Sequence, residues 1–242
     1  MQEWFAEIKR HFILNFIRDD RWKFLVSGLG TTLRITLFAL LIGIAIGVIV
    51  AIVRSTYDKN ADQMRGGASR AALGFFNGVC KFYLTVIRGT PAVLQLMIFY
   101  YVVLTSIKSG EVIGMVAFGI NAGAYIAEIF RSGIMSIDNG QFEAGRSLGF
   151  NYVQSMRYII IPQAFKNILP ALANEFIVLL KETAVVGYVA VQDMTKAGNI
   201  ISGRTYSYFM PLIAVALVYL ALVMFFTWLV GKLERRLRAS ER

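Results

Sequence analysis

Two carboxylates lie inside an apolar stretch of the chain. Glu175 and Glu182 belong to the run 168–192, which is long enough to cross a membrane. An ionisable group at membrane depth costs on the order of 2.5–3.5 kcal/mol on insertion scales, so it usually faces a cavity or a partner. The two residues are seven apart, which places them on nearly one helix face. Together with the amide of Asn174, they suit an ammonium group or a cationic side chain.

A structural role for these carboxylates is also open. Glu182 could pair with Lys181 or Arg88 as a clamp between helices. Glu175 is the better candidate for ligand binding, because it lies deeper in the run and has no cation three or four residues away.

A second polar cluster lies in the apolar run 112–127 and just after it. Asn121, Tyr125 and Glu128 fall on adjacent turns of a helix, with Gly119 and Gly123 beside them. The amide and the phenol are predicted to line a cavity. The glycines are predicted to pack at a dimer seam, because small residues let helices approach closely.

Two arginines lie next to these clusters. Arg131 follows Glu128 by three residues, and an ordinary ion pair explains both. Arg88 precedes the Thr90-Pro91 step that opens another apolar run. Its guanidinium could contact a ligand carboxylate or serve as an anchor at the membrane interface.

Residues for covalent, metal or nucleotide chemistry are scarce. Cys80 is the only cysteine, so no thiolate metal site is expected. His11 is the only histidine, and its expected surface position on the N-terminal helix argues against a Ser/His/Asp set. The chain also contains no G-x-x-x-x-G-K-[ST] loop. We therefore expect no catalytic residue, no metal ligand and no nucleotide bound by this chain.

Composition and run length place the chain in a membrane. It is 57% hydrophobic, and several runs approach or exceed the length needed to cross about 30 Å of hydrocarbon. An all-α integral membrane protein with five spans is predicted, at 35–53, 91–107, 112–127, 168–192 and 209–230.

Basic residues predict the orientation of those spans. Lys and Arg accumulate in segments 54–81, 131–166 and 232–242, whereas the alternate connections hold few. Because such residues favour the cytoplasmic side, these segments are predicted to lie inside and the N-terminus outside. The net charge of +10 is therefore mainly a topology signal, and its dispersal argues against nucleic-acid binding.

One domain, at 25–232, is expected between two terminal segments. Residues 1–24 carry aromatic and charged side chains at helical spacing, which predicts a helix lying in the membrane interface. Residues 55–74 are rich in Gly, Ala and basic side chains and are interpreted as a flexible cytoplasmic linker. Residues 233–242 form a basic cytoplasmic tail.

The connection 131–167 is unusually long and polar for a loop between spans. It contains Glu143-Ala144-Gly145-Arg146-Ser147-Leu148-Gly149 and, thirteen residues later, Pro162. An ordered, charged surface of this length predicts a docking site for another protein.

The same residues resemble a family motif. Glu143-Ala144, Gly149, Ile159 and Pro162 match the cytoplasmic loop of ABC-importer permeases, written E-A-A-x3-G-x9-I-x-L-P, with Gly145 and Ile161 as departures. Segments 88–91, 140–144 and 181–183 are similar to those of the subfamily that imports polar amino acids. The resemblance covers about residues 25–232.

The resemblance implies a permease that works as a dimer, with itself or a relative, in a bacterial cytoplasmic membrane. ATP-binding subunits holding ATP and Mg²⁺ would lie beneath it, and a separate amino acid-binding protein outside. Residues 142–150 would be the coupling helix, bracketed by Gly140 and Gly149. Its proposed docking residues are Phe142, Glu143, Ala144, Gly145, Arg146 and Gly149. Its substrate path would include Asn121, Tyr125, Asn174, Glu175, Glu182 and Arg88.

Particular roles follow from that assignment. Glu143 is expected in the first turn of the coupling helix, where a carboxylate complements the helix dipole. Arg146 and Arg157 would contact the ATPase, and Gly149 would end the helix in a left-handed cap. Translocation of a polar amino acid, with a cationic one as an option, would proceed by alternating access.

Other functions remain as alternatives. The chain could carry another small polar solute, act as a passive channel, or anchor a cytoplasmic complex without transport. An anchor explains the polar loop but leaves the polar groups within the apolar runs without a role.

Overall fold

The computed structural model describes residues 1–60 and 67–239, and every regular element in those ranges is helical. Short π-helical turns follow α1, α4 and α7, and 3₁₀ turns cover Arg18–Asp20 and Thr183–Val189. The predicted all-α class is confirmed. The α-helices are α1 (Gln2–Phe12), α2 (Trp22–Asn60), α3 (Ala68–Gly89), α4 (Ala92–Ile98), α5 (Gly110–Met135), α6 (Asn139–Ser147), α7 (Tyr152–Ser155), α8 (Ile161–Glu182), α9 (Met194–Thr205) and α10 (Phe209–Ala239).

Three helices in the described part of the chain are long and apolar enough to cross a membrane: α2, α5 and α10. They contain the predicted spans 35–53, 112–127 and 209–230 and extend beyond them. An uncharged run marks only the part of a helix in hydrocarbon, whereas polar side chains at the ends reach the interface. The apolar runs therefore located these helices but underestimated their lengths.

The predicted span 91–107 is part of a broken pair of helices. α3 and the segment Ala92–Val103 pass the span test together, although they are bent by 108° at the break. Thr90 is extended there, as residues before proline are, and Pro91 cannot donate a helical hydrogen bond. Within the described residues the count is therefore three spans, or four if the bent pair crosses once, against the predicted five.

α8, which holds most of the predicted span 168–192, is not among the described helices that pass the span test, and its helical boundaries differ from those of the run. Helix begins at Tyr152 and continues without a break through α7, a π-helical turn and α8 to Glu182. The chain then tightens into the 3₁₀ segment Thr183–Val189, where the buried Thr183 hydroxyl donates to the carbonyl of Leu180 at 3.0 Å. The start of this helix is set by the cap before Tyr152, and its end by the Thr183 hydroxyl, which bonds a backbone carbonyl. The limits of the apolar run set neither end.

The chain divides into two compact units. The first comprises Met1–Ala39, Ala92–Phe118 and Ile177–Trp228, and the second comprises Leu40–Pro91, Gly119–Phe176 and Leu229–Arg242. The first holds the N-terminal segment and both weakly basic connections, and the second holds the three basic segments. The sidedness of these segments stays a prediction.

In the first unit, the N-terminal segment is fixed by a buried amide. The Thr205 hydroxyl donates to Asn15 Oδ1 at 2.7 Å, and Asn15 Nδ2 donates to Ser207 at 3.3 Å. The predicted N-terminal helix is observed as α1, with Trp4 and Phe5 largely exposed. The next helix already starts at Trp22, and placement of α1 in the membrane interface stays a prediction.

A second polar contact in the first unit joins α2 to the start of α9. Thr32 Oγ1 accepts the backbone N–H of Met194 at 3.2 Å, and a Cβ at Gly28 would lie 2.6 Å from the Asp193 carbonyl oxygen. Asp193 caps α9 by accepting from the backbone N–H groups of Thr195 and Lys196. Burial raises the pKa of Asp193, and these N–H donors act in the opposite direction.

The second unit has a core made by α2, α3 and α5. Val50, Leu84 and Ala124 are buried there. A Cβ at Gly123 would lie 2.8 Å from the Tyr83 hydroxyl and 3.0 Å from Ile46. The predicted dimer-seam role of Gly123 is therefore wrong, because side chains of the same chain cover it.

The predicted flexible linker 55–74 is mostly helical. Residues 55–60 complete α2, residues 68–74 begin α3, and residues 61–66 lie outside the described residues. Tertiary contacts override the weak helix propensity of this Gly-rich segment: Ser55 is buried, and Arg54 donates to Asn77 at 3.4 Å. The predicted tail 233–242 likewise belongs to α10 up to Ala239, and its last three residues lie outside the described part.

Candidate functional site

The predicted coupling segment is helical, but it starts earlier than expected. α6 runs over Asn139–Ser147 instead of 142–150, because Asp138 caps it by accepting the N–H of Gly140 at 2.7 Å. Glu143 therefore lies in the second turn, and its predicted place in the first turn is wrong. Asp138 is the carboxylate that complements the helix dipole.

The end of α6 confirms the predicted role of Gly149. This residue has a φ of +80°, in the left-handed region that favours glycine. Its N–H donates to the carbonyl of Arg146 at 2.9 Å, and the N–H of Phe150 donates to that of Gly145 at 3.0 Å. These two bonds form a Schellman motif, which satisfies carbonyls that the last turn would leave open.

Gly145 lies where α6 packs closely on α7. It is buried, and a Cβ built there would lie 2.6 Å from Ser155 Oγ and 3.2 Å from Ile159. The departure from the family's alanine thus has a steric cause in this chain. The Ser155 hydroxyl is buried and makes no hydrogen bond within the described residues.

Phe142 joins α6 to two other helices. Its ring stacks on Tyr152 with centroids 6.3 Å apart and an interplanar angle of 10°. The ammonium of Lys59, near the end of α2, lies 3.7 Å from the Phe142 ring centroid, a cation–π contact. Gln163 also donates to Gln141 at 3.1 Å. α6 is therefore attached along one side.

The other side of α6 is open. Glu143, Ala144 and Arg146 are exposed, and Leu148 at the end of the helix is 72% exposed. Beside them lies an open cavity of ≈ 400 Å³, lined by Asp58, Lys59, Met135, Asn139, Phe142, Glu143, Arg146 and Tyr152. This surface combines both charge signs with apolar side chains, which suits a protein partner.

Two of the predicted substrate-path residues meet elsewhere in the second unit. Arg88 and Tyr125 line an open depression of ≈ 530 Å³, together with Leu84, Thr85 and Gly89. The guanidinium carbon of Arg88 lies 5.8 Å from the Tyr125 ring centroid. A guanidinium beside a phenol and a hydroxyl can bind a carboxylate.

A row of ion pairs extends from that depression. Arg88 lies 3.8 Å from Glu128, which contacts Arg131 at 3.1 Å, and Arg131 lies 3.5 Å from Asp58. The predicted Glu128–Arg131 pair is confirmed. The ion pair seen for Arg88 is with Glu128, not with Glu182.

The remaining substrate-path residues lie on α5 and α8. Asn121 is buried, and the amide of Asn174 donates to the carbonyl of Pro170 on its own helix at 3.1 Å. Glu175 is half-buried on α8, and Glu182 is half-buried at the end of that helix. Their shared role stays a prediction. Among the described residues, no group of His, Cys, Asp or Glu side chains is placed to hold a metal ion.

Sequence reasoning missed several residues of the α6 surface. Asp58 and Lys59 belong to the predicted linker, and nothing in their local sequence indicates contacts with Arg131 and Phe142, far along the chain. Asn151 and Gln154 form a capping box, with two reciprocal hydrogen bonds of 2.9 Å. An Asn-x-x-Gln spacing before a helix is a readable signal, as is the Asp-Asn-Gly that begins α6.

Comparison with known proteins defines the class. Residues 66–239 match the family described as the inner membrane component of binding-protein-dependent transport systems, and the chain belongs to that family. It is therefore a multi-pass membrane protein of a transport system.

Particular relatives are similar over nearly the whole chain. A putative glutamine transport system permease protein of Rickettsia bellii is 37% identical over 90% of this chain and 94% of its own length. The arginine transport system permease protein of Bacillus subtilis is 36% identical, with coverages of 90% and 94%.

Solved structures share the fold. The crystal structure of an amino acid ABC transporter with histidines contains a chain that is 40% identical, with a TM-score of 0.77 and coverages of 88% of this chain and 94% of that one. An inward-facing methionine ABC transporter has a chain with a TM-score of 0.73 at 20% identity, covering 90% of this chain and 98% of its own. That second likeness concerns the fold alone.

Proposed function

We propose that this chain is the membrane-spanning permease subunit of an ATP-driven amino acid importer. Family membership and the amino acid transport named for its relatives support this proposal. The observation that carries it is α6, a capped helix attached along one side that exposes Glu143, Ala144 and Arg146 on the other. That arrangement fits a lever that a partner can move.

The partners follow from this role. Two ATP-binding subunits would receive α6 in a surface groove, and they would hold ATP and Mg²⁺ and carry out hydrolysis. This chain would bind no cofactor. A second permease copy or a relative would complete a dimer in a bacterial cytoplasmic membrane, with an amino acid-binding protein outside.

The substrate would be recognised as a zwitterion. Arg88 beside Tyr125 offers a site for the carboxylate, and Glu175 supplies the opposite charge for an ammonium or a cationic side chain. Asn121, Asn174 and Glu182 are proposed to line the same path. The carrier would alternate between outward and inward states, and each ligand shifts that equilibrium only by its differential affinity.

Reconstitution tests the function. The permease, its ATP-binding subunits and the binding protein would be placed in proteoliposomes and supplied with radiolabelled amino acids. We expect accumulation that requires both ATP and the loaded binding protein. Equal uptake without ATP would instead favour a passive channel, and no uptake of any amino acid or other small polar solute would favour a membrane anchor.

Replacing Glu175 by Gln tests the proposed substrate site. If Glu175 faces the cationic side chain, this variant should reduce uptake of a cationic amino acid by a larger factor than uptake of a neutral one, because only the cationic side chain loses a charge partner. Glu7→Gln, on exposed α1, is the matched control. Equal reductions for both substrates would instead assign Glu175 to the α-ammonium group that they share, and no reduction would assign it a structural role.

A further inference from the structure

We propose that Glu128 and Arg131 are positioning residues that link the exposed α6 surface to the Arg88 depression. This inference rests on the proposed function, because it concerns how ATPase docking and substrate binding influence each other. The ion pairs involved join α3, α5 and α2 within one compact unit.

The pairs form a continuous series. Glu128 contacts both Arg88 and Arg131, and Arg131 contacts both Glu128 and Asp58. Each of the two central residues is thus shared between two partners. A displacement at either end of the series changes the field at both shared residues.

Both ends of the series reach sites described above. Asp58 lines the cavity beside α6, and the adjacent Lys59 lies over the Phe142 ring. Arg88 lines the depression with Tyr125. The series is therefore the charged connection that the second unit provides between these two surfaces.

The environment preserves these electrostatic interactions. The side chains of Glu128, Arg131 and Asp58 are only 27–30% exposed, so solvent screens them less than surface pairs. Arg88 is more open, at 46%, and its contact with Glu128 is the longest of the three pairs, at 3.8 Å. A ligand carboxylate could therefore take Arg88 from Glu128 by forming a shorter, bidentate pair.

That exchange links the two sites. When a ligand carboxylate binds Arg88, Glu128 loses that partner and interacts more strongly with Arg131. The Arg131 guanidinium then interacts less strongly with Asp58. Movement of α6 changes the Arg131–Asp58 interaction from the other end, through Asp58 and the adjacent Lys59. Because linkage is reciprocal, binding at either site changes the affinity of the other site by the same factor.

Amino acid molecules transported per ATP hydrolysed, measured in the reconstituted complex, test this link. The variants are Glu128→Gln, Asp58→Asn and their combination. Glu111→Gln is the matched control, because it removes a carboxylate from the same helix and breaks a comparable pair, with Arg34 at 3.1 Å. Each single variant should lower the ratio by about 3-fold or more, and Glu111→Gln should leave it unchanged.

The double variant distinguishes a coupled series of ion pairs from ion pairs that act independently. Since one break already interrupts the series, the combination should be no worse than the more severe single variant. Arg131→Lys, which keeps the positive charge but loses the planar guanidinium, should fall between the wild type and Arg131→Gln. Should Glu128→Gln not assemble, Asp58→Asn near the end of α2 carries the same test.

Two results would overturn the inference. One is a wild-type ratio in both single variants, and the other is a double variant whose loss equals the product of the single losses. Either result, with normal import by the wild type, leaves the proposed function intact. Absence of ATP-driven import by the wild-type complex would instead contradict the proposed function itself.

Discussion

Two glycines of the candidate docking helix are required for different physical reasons. Gly149 needs its positive φ of +80° to close the Schellman motif, and it has open space around it. Gly145 has an ordinary helical conformation but no room for a side chain beside Ser155. The same residue type therefore serves a backbone requirement at one position and a packing requirement at the other.

Gly145→Ala should destabilise the packing of α6 on α7 by about 1–3 kcal/mol, the usual range for overpacking. Thermal unfolding of the purified complex measures this loss. Ser155→Ala should be at least as stable as the wild type, because it removes a buried hydroxyl that has no hydrogen bond. Combining both changes should restore most of the stability, and a Gly145→Ala variant as stable as the wild type would contradict the steric explanation.

Gly149→Ala should lower stability by about 1–2 kcal/mol through backbone strain in the left-handed region. Gly149→Asn is the control, because asparagine tolerates that region better and should lose less. The unfolding midpoints of both variants give the comparison. Equal losses would show that the cap does not depend on left-handed geometry.

At the scale of elements, α6 combines a fixed base with an exposed outer face. Asp138 fixes its start, the Schellman motif fixes its end, and Phe142 fixes its side against Tyr152 and Lys59. A short helix bound at three places moves as one body. This rigidity is what a coupling element needs.

Asp138→Ala should weaken the start of α6 by about 1 kcal/mol, since the cap to Gly140 is lost. Hydrogen exchange of the Gly140 and Gln141 amides should accelerate several-fold, while exchange in α5 stays unchanged. Asp138→Asn keeps a capping oxygen and should preserve most of the protection. Unchanged exchange in Asp138→Ala would mean that packing alone holds the helix start.

The sequence predicted these elements unevenly. Long uncharged runs located α2, α5 and α10, and the motif located α6 and its glycine cap. The α3–α4 bend, the early start of the helix leading into α8 and the helical ends of the supposed linker were not foreseen. Those features depend on contacts distant in sequence, such as Arg54 with Asn77 and Lys59 with Phe142, or on caps that periodicity does not register.

At the scale of the whole molecule, the division into two units agrees with the charge pattern. The Asn15 contacts with Thr205 and Ser207 hold the N-terminal segment to the connection between α9 and α10. Both segments must therefore lie on one side of the membrane. The three basic segments all belong to the other unit, and their cytoplasmic placement stays a prediction.

Cysteine labelling tests this sidedness. Cys80 is the only cysteine, so its replacement by Ser gives a clean background. We expect Lys9→Cys to react with a membrane-impermeant maleimide in intact cells, and Lys232→Cys to react only after permeabilisation, because the basic tail lies inside. The reverse labelling pattern would invert the predicted topology.

Coupling of this permease to an ATPase through α6 is tested by Glu143→Lys in the reconstituted complex. The exposed carboxylate becomes a cation without affecting the buried side of α6. We predict that amino acid uptake is lost and that loaded binding protein no longer stimulates ATP hydrolysis, while membrane insertion stays normal. Glu7→Lys on α1 should transport like the wild type. Wild-type uptake and assembly in Glu143→Lys would contradict the account.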